Sequence, residues 1–450
     1  MESRRRLPSS TDVLVVGCGP AGAATATWLA RAGREVTVLD AAEFPRDKTC
    51  GDGLTPRAML EVDRLGLGAW ARDRITIRGL ELRGFGHERR VPWPAGEHGG
   101  TGSAVRRTVF DDRLRQAAVE AGAVVHQGVR VTGVERGDDD EVTAVLAGDD
   151  RVECRTLVVA DGVRSPVGRL LGRTWHRDTV YAVAARSYVG SARHDHPWIG
   201  SDLELRDEAA AIQPGYGWVF PLGDGEVNLG VGALATSTRP ANVAVKELLQ
   251  HYARSVRDDW ALAGEPRAVT SALLPMGGAV SGVAGRNWAA VGDAAACVNP
   301  LNGEGIDYAL EGGRLLAELI LAGHGTRSGG VGPGGVGPDA VGPGGVGPGG
   351  VGPDGVGART EPLTHAWPEV LRRTYGEAFA IARDAARLLT YPRFLPIAGP
   401  VGMRSQTLMT AAVRCMSNTV ADSDRDVVAR AWRAAGSVAR RLDRRPLFAE

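Results

Sequence analysis

Lysine is nearly missing from this 450-residue chain. Only Lys48 and Lys246 occur among its 53 basic residues, and the others are arginine. That bias is read as a base-composition effect and carries no functional weight. Net charge is missing too, because 53 acidic residues cancel the basic ones, which argues against wholesale nucleic-acid binding. The five cysteines, Cys18, Cys50, Cys154, Cys297 and Cys415, are odd in number and show no CxxC spacing. Neither a disulfide framework nor a metal site is suggested, so a reducing cytoplasm is the expected compartment. No run of about 18 apolar residues free of glycine and charge occurs, so no helix is expected to span a bilayer. The head "MESRRRLPSS" has the basic character of an export signal, but the next residues are better explained as the first strand of a fold.

What remains is ordinary globular material, 43% hydrophobic and 24% charged, in a chain long enough for two or three domains. "DVLVVG" reads as a buried parallel strand, residues 20–32 as a helix closed by Gly33, and "REVTVLD" as a second strand ending at Asp40. This is a βαβ opening. "TVFDDRLRQAAVEAGA" predicts a helix starting near Asp111, and three strands follow, ending in "LVVADG". Residues 180–235 alternate strand-like segments with turns, as an inserted antiparallel sheet does. The last 85 residues are mostly helical in pattern, with a break at "TYPRFLPIAGPVG". Residues 329–358 are six Gly/Pro-rich pentads that offer no large apolar side chain, so a flexible and dispensable linker is expected.

Three loops carry chemistry. Gly17-Cys18-Gly19-Pro20-Ala21-Gly22 joins a strand to a helix, where glycines let backbone approach a pyrophosphate at the helix N-terminus. Asp40 is placed to accept from ribose hydroxyls. Asp161-Gly162, with Ser165 after it, ends a later strand, and Gly292-Asp293 ends another ahead of a Gly-rich loop and a long helix. A carboxylate there can bind ribityl hydroxyls, while the helix N-terminus favours a reduced, anionic flavin. In this order the loops resemble the FAD-binding triplet of the para-hydroxybenzoate-hydroxylase-like flavoproteins. That likeness implies a mixed α/β fold: a Rossmann-like FAD-binding domain, an inserted antiparallel-sheet substrate domain and a helical C-terminal region. The expected boundaries are 10–80, 105–175 and 265–325 for the first, and 81–104 with 176–264 for the second. A linker at 326–364 and a helical region at 365–450 complete the layout.

"FPRDKTCGDGLTPRA", "PGYGWVFP" and "GEVNLGVG" resemble the geranylgeranyl reductase family. "VGDAAACVNPLNGEGIDYALE" and "FLPIAGPVGMRS" are most similar to the actinobacterial menaquinone reductases within it. The resemblance covers nearly everything except the pentads. It implies FAD-dependent saturation of an isoprene double bond in a quinone tail, with a polyprenyl quinone or prenyl lipid as substrate. It also implies FAD contacts from Lys48, Cys50, Gly51, Arg107, Pro300, Gly303, Gly305 and Ile306. The external reductant stays open between NADPH and a protein electron donor.

An isolated trisubstituted alkene is not polarised, so hydride will not simply add to it. Protonation must accompany or precede hydride delivery, which gives the transition state tertiary-carbocation character. Tyr216, Trp218 and Phe220 alternate on a predicted strand and share one face, a wall that suits an isoprenoid chain and a developing cation. Cys50, beside the flavin, would donate or relay a proton or pack against the ring. Cys50, Tyr216 and Trp218 are therefore the candidate catalytic residues. The competing readings are a geranylgeranyl diphosphate or geranylgeranyl-lipid reductase, a flavin-dependent aromatic hydroxylase or halogenase, and a non-catalytic electron carrier. Residues 366–450 hold 14 arginines against 8 acids. That basic, apolar tail suits peripheral contact with the inner face of the cell membrane, or equally a core with a solvated arginine face.

Overall fold

Val13, Leu14 and Val15 are fully buried because the strand that carries them, Ser10–Val16, lies in the middle of a sheet. The computed structural model describes residues 6–241, 243–325, 361–420, 423–443 and 447–448. The pentad segment lies outside the described residues. Ser10–Val16 pairs in parallel with Val36–Leu39 on one side and Asp150–Val159 on the other. Val124–His126 extends the first edge, while Trp288–Ala290 also joins Asp150–Val159 in parallel. Val142–Ala147 and Gly133–Arg136 finish the sheet as antiparallel strands. Parallel strands need cover on their faces. The helices Pro20–Arg31 and Ile306–Leu321 supply it, packed so closely that a Cβ on Gly313 would sit 2.7 Å from the Ala21 carbonyl oxygen.

The second sheet runs Leu262–Pro275, Tyr181–Ser191, Glu226–Ala235, Gly215–Pro221, Trp198–Asp202, Gly79–Gly84, His87–Pro92. All neighbours are antiparallel except Trp198–Asp202 with Gly79–Gly84. Its edge strand continues to Pro275, past the boundary expected at 264. Leu248, Leu249 and Tyr252 from the helix Val245–Ser255 cover one face, and the other turns toward the first domain.

Two elements differ from the sequence reading, each for a long-range reason. The helix expected from Asp111 begins at Arg107, where the amide of Arg107 donates to Asp52 Oδ1 at 3.2 Å. The cap therefore comes from a carboxylate 55 residues away. "FLPIAGPVGMR", expected to be broken, is the helix Phe394–Arg404. Pro396 sits in its first turn, where no intrahelical donor is needed. Gly399 rests on Phe85, whose ring lies 2.3 Å from where a Cβ would be. Arg89 closes the far end by donating to the carbonyls of Met403 and Arg404 at 3.0 Å each.

Candidate active site

Glycine is required in the first loop by packing as well as by conformation. Gly17 has φ +99, and a Cβ there would meet the Ala160 carbonyl oxygen at 2.3 Å. On Gly22 it would lie 1.9 Å from the Gly17 carbonyl oxygen. Gly22 thus shapes the turn from behind, while Gly17, Gly19, Pro20 and Ala21 border a cavity of about 920 Å³. No side chain caps the helix that starts at Pro20, which leaves first-turn amides for an anion. Asp40 borders the cavity too and braces the loop, accepting from the amides of Cys18 at 2.6 Å and Ala42 at 2.8 Å.

The other two loops reach the same cavity. Asp161 and Gly162 border it, but the Asp161 carboxylate is engaged by Ser165 Oγ at 2.6 Å and the Val167 amide at 2.8 Å. Ser165, fully buried with φ +35, stands behind Asp161 and off the cavity. Asp293 reaches the cavity and pairs with Lys48 at 3.3 Å. Gly303, Gly305 and Ile306 border it, and Gly305 begins the helix Ile306–Leu321 with no side-chain cap. Gly292 packs against Ala21 and Pro300 against Gly277, so these two support the site without lining it. Three convergent loops, two uncapped helix starts and three carboxylates on one cavity fit FAD. Asp293→Ala is expected to lower the flavin content of the purified protein severalfold, measured by its absorbance after denaturation.

The Cys50 stretch folds over this cavity on a buried polar scaffold. Asn228 donates to the Cys50 carbonyl at 2.8 Å and to Asp52 Oδ2 at 2.9 Å. Tyr188 donates its hydroxyl to the same oxygen at 2.8 Å. Burial pushes the Asp52 carboxyl up to about 6, against these two bonds. The Asp52 amide donates to Cys50 Sγ at 3.4 Å. Burial opposes the charge of Arg107, but Asp111, gripped at 2.7 and 2.8 Å, and then the Cys50 sulfur hold it protonated. Cys50 sulfur is therefore surrounded by donors on its protein side. Gly51 and Gly53 serve a neighbour that the sequence did not reveal. A Cβ on either would strike the Phe220 ring, at 2.7 and 2.6 Å, so the ring lies directly on backbone.

Tyr216, Trp218 and Phe220 do share one face, and all three line the cavity. Their ring centroids step 5.9 and 6.2 Å along the strand. The Tyr216 hydroxyl donates to the Asn302 carbonyl, and Trp218 Nε1 donates to Asn228 Oδ1 at 3.0 Å. Sequence reasoning passed over Asp52, Tyr188, Asn228 and Glu304. Asn228 left a trace, a lone amide in the otherwise apolar "VNLGVG". Beyond the aromatic wall the cavity continues between Leu82, Trp93 and Ile199 to the inner side of the helix Phe394–Arg404.

A Rossmann-like sheet, three glycine-rich loops converging on one cavity and an apolar extension fit a flavin-dependent oxidoreductase, and the FAD binding domain family matches residues 10–329. A menaquinone reductase of Mycobacterium tuberculosis is 52% identical over 440 residues, covering 98% of both chains. Digeranylgeranylglycerophospholipid reductase 1 of Methanopyrus kandleri is 33% identical, covering 69% of this chain and 80% of its own. A geranylgeranyl bacteriochlorophyll reductase-like protein of Thermoplasma acidophilum shares the fold, with a TM-score of 0.69 at 19% identity over 95% of this chain and 99% of that one. The chain belongs to the menaquinone reductase family of FAD-binding flavoproteins.

Proposed function

We propose that the protein saturates one isoprene double bond in the side chain of menaquinone. The observation that carries this reading is one continuous cavity, lined by polar groups where the three loops meet and by apolar side chains from Trp218 to the helix Phe394–Arg404. The bound FAD, once reduced, supplies a hydride to one alkene carbon. The first sheet then carries the cofactor and the second carries the tail. Cys50 and the rings of Tyr216 and Trp218 border the space where the alkene would lie, and exclude water from it. Aromatic faces there stabilise positive charge on the carbon that awaits the hydride.

The substrate resides in a bilayer, and one surface suits contact with it. Leu388, Tyr391, Phe394, Ile397, Val401 and Leu408 are exposed on three consecutive helices and the turn that joins the first two, Ile397 at 70% and Val401 at 60%. Arg387, Arg393 and Arg404 are exposed among them. The same helix turns Leu395, Ala398 and Met403 to the cavity. Apolar residues ringed by cations favour an anionic lipid surface, here the inner face of the cell membrane. No helix among the described residues is long and apolar enough to cross a membrane. The double variant Ile397→Glu, Val401→Glu is expected to lose sedimentation with anionic liposomes about tenfold or more while keeping its FAD. Equal sedimentation of both proteins would exclude this face.

The activity itself is tested with dithionite-reduced protein and a long-chain menaquinone, the product tail being weighed by mass spectrometry. A gain of two hydrogens is expected. Flavin reoxidation alone misleads, because the quinone head accepts electrons too. No gain with menaquinone but saturation of geranylgeranyl diphosphate would move the assignment to a diphosphate substrate. A stable flavin hydroperoxide absorbance on mixing with oxygen would favour a hydroxylase or halogenase.

A further inference from the structure

Saturation consumes a proton as well as a hydride, and the inference rests on that reading of the site. Among the cavity-wall groups that carry an exchangeable proton are Lys48, Cys50, Tyr216 and Glu304, while the Asp161 carboxyl is already held by Ser165 and the Val167 amide. Lys48 is paired with Asp293. The Tyr216 phenol is pushed up by burial, then by Glu304 and Cys50, and its hydrogen is held by the Asn302 carbonyl. The Cys50 sulfur accepts from Asp52 and faces Arg107. A carboxylic acid is intrinsically the strongest acid of the four, provided that it remains protonated.

Glu304 is built to remain so. It stands just before the helix Ile306–Leu321. Asn302 Nδ2 lies 3.5 Å from its Oε2, and the Thr55 hydroxyl bonds the same carboxyl. Its other oxygen is shut away from solvent without a partner, as is Oδ2 of fully buried Asp307, three residues on. Burial pushes the Glu304 carboxyl well above the carboxylate range, and Asp307 pushes it further. Asp307 itself is raised by burial to about 7, against the pull of Arg57. Two buried carboxyls in each other's field do not both ionise. The remaining groups around the pair are Arg57, Tyr308, Tyr216 and Glu311. Arg57 does not release the proton, because its own charge is taken up by Glu311 at 2.5 Å.

We propose that Glu304 is the general acid of the saturation step, giving its proton to one alkene carbon as the hydride reaches the other. The π pair of the alkene forms the first new C–H bond and the hydride's electrons form the second. The cofactor is left oxidised by two electrons and Glu304 as a carboxylate, which a solvent proton restores. Burial keeps that carboxylate short-lived, because the site solvates its charge poorly. Cys50 then shapes the wall and does not supply the proton.

The test uses FAD-loaded full-length protein, reduced with dithionite and mixed once with a long-chain menaquinone. Glu304→Gln is expected to lower the saturation rate by about 10²–10⁴-fold, the usual weight of a general acid, with flavin content and dithionite reduction unchanged. Cys50→Ala should lose less, and Glu304→Asp should recover part of the rate. In wild type the rate should fall on the alkaline side as Glu304 ionises, and Glu304→Gln should lack that limb. Infrared spectra of the resting protein should show a protonated-carboxyl band at neutral pH that Glu304→Gln removes. A wild-type rate in Glu304→Gln, a larger loss in Cys50→Ala, or an unchanged infrared band would each overturn the assignment. If wild type forms no saturated tail at all, the functional reading falls instead, and the infrared band still decides whether Glu304 holds a proton.

Discussion

Arg57→Met is expected to remove about 3–5 kcal/mol of folding stability, the cost of leaving a buried charge without its partner. Arg57 lies at the centre of a buried group formed by the helices Pro56–Arg64 and Ile306–Leu321. Its guanidinium bonds Glu311 at 2.5 Å and sits 5.9 Å from the centroid of the Tyr308 ring. Burial opposes ionisation of Glu311. The charge and bond of Arg57, then Tyr375 and Arg314, nevertheless hold its carboxyl below the usual range. Arg314 stands 3.8 Å from the other Glu311 oxygen and offsets only part of the loss. Urea unfolding of the FAD-loaded protein at neutral pH measures the effect. Because the folded carboxyl is depressed, its share of stability is present at neutral pH and fades as acid carries the pH down through the lowered value. The gap between wild type and Arg57→Met should therefore narrow in acid. The double variant Arg57→Met, Glu311→Leu should recover much of the loss, since a well-packed apolar pair can replace a buried ion pair. A single variant within about 0.5 kcal/mol of wild type, in the range of an ordinary surface change, would mean that the charge is solvated by another route.

Trp218→Leu is expected to slow saturation about 30-fold with FAD still bound. The indole is the middle ring of the aromatic wall, and its removal takes away the largest π face near the proposed alkene position. A desolvated cation–π contact is worth about 2 kcal/mol, which is the quoted factor in rate. Leucine fills much of the volume, so the loss reports charge stabilisation more than collapse. Trp218→Phe keeps an aromatic face but drops the bond to Asn228, and should retain most of the rate. The single-turnover assay with product mass separates the two. Equal rates in wild type and Trp218→Leu would reduce the wall to a shape-giving surface.

The nucleotide loops were legible in the sequence because their chemistry is local. Gly17, Gly19 and Gly22 are spaced within one strand–turn–helix, although the close approach to Ala160 that Gly17 permits is long-range, and the alternation of Tyr216, Trp218 and Phe220 needs only the strand period. What escaped was made by distant partners. Asp52 caps the helix Arg107–Glu120 and binds Tyr188 and Asn228 from the other sheet, partners that no local pattern announces. The Phe220 ring that lies against Gly51 and Gly53 comes from the other sheet, and nothing near the two glycines in sequence announces it. Glu304 was hidden inside a glycine-rich loop, and only burial beside Asp307 marks it. The helix Phe394–Arg404 defied its prolines because Phe85 and Arg89, some 300 residues earlier in sequence, support it.

That helix has an inner side on the cavity and an outer side open to the surroundings. If the outer side rests on lipid, as proposed, the quinone tail passes from bilayer to flavin without meeting water. The enzyme then samples a two-dimensional solution. Its rate would follow the mole fraction of quinone in the membrane and not the amount per volume of cell. Added inert lipid would slow each bound enzyme while total substrate stayed constant, and a cell could regulate tail saturation by changing membrane composition alone.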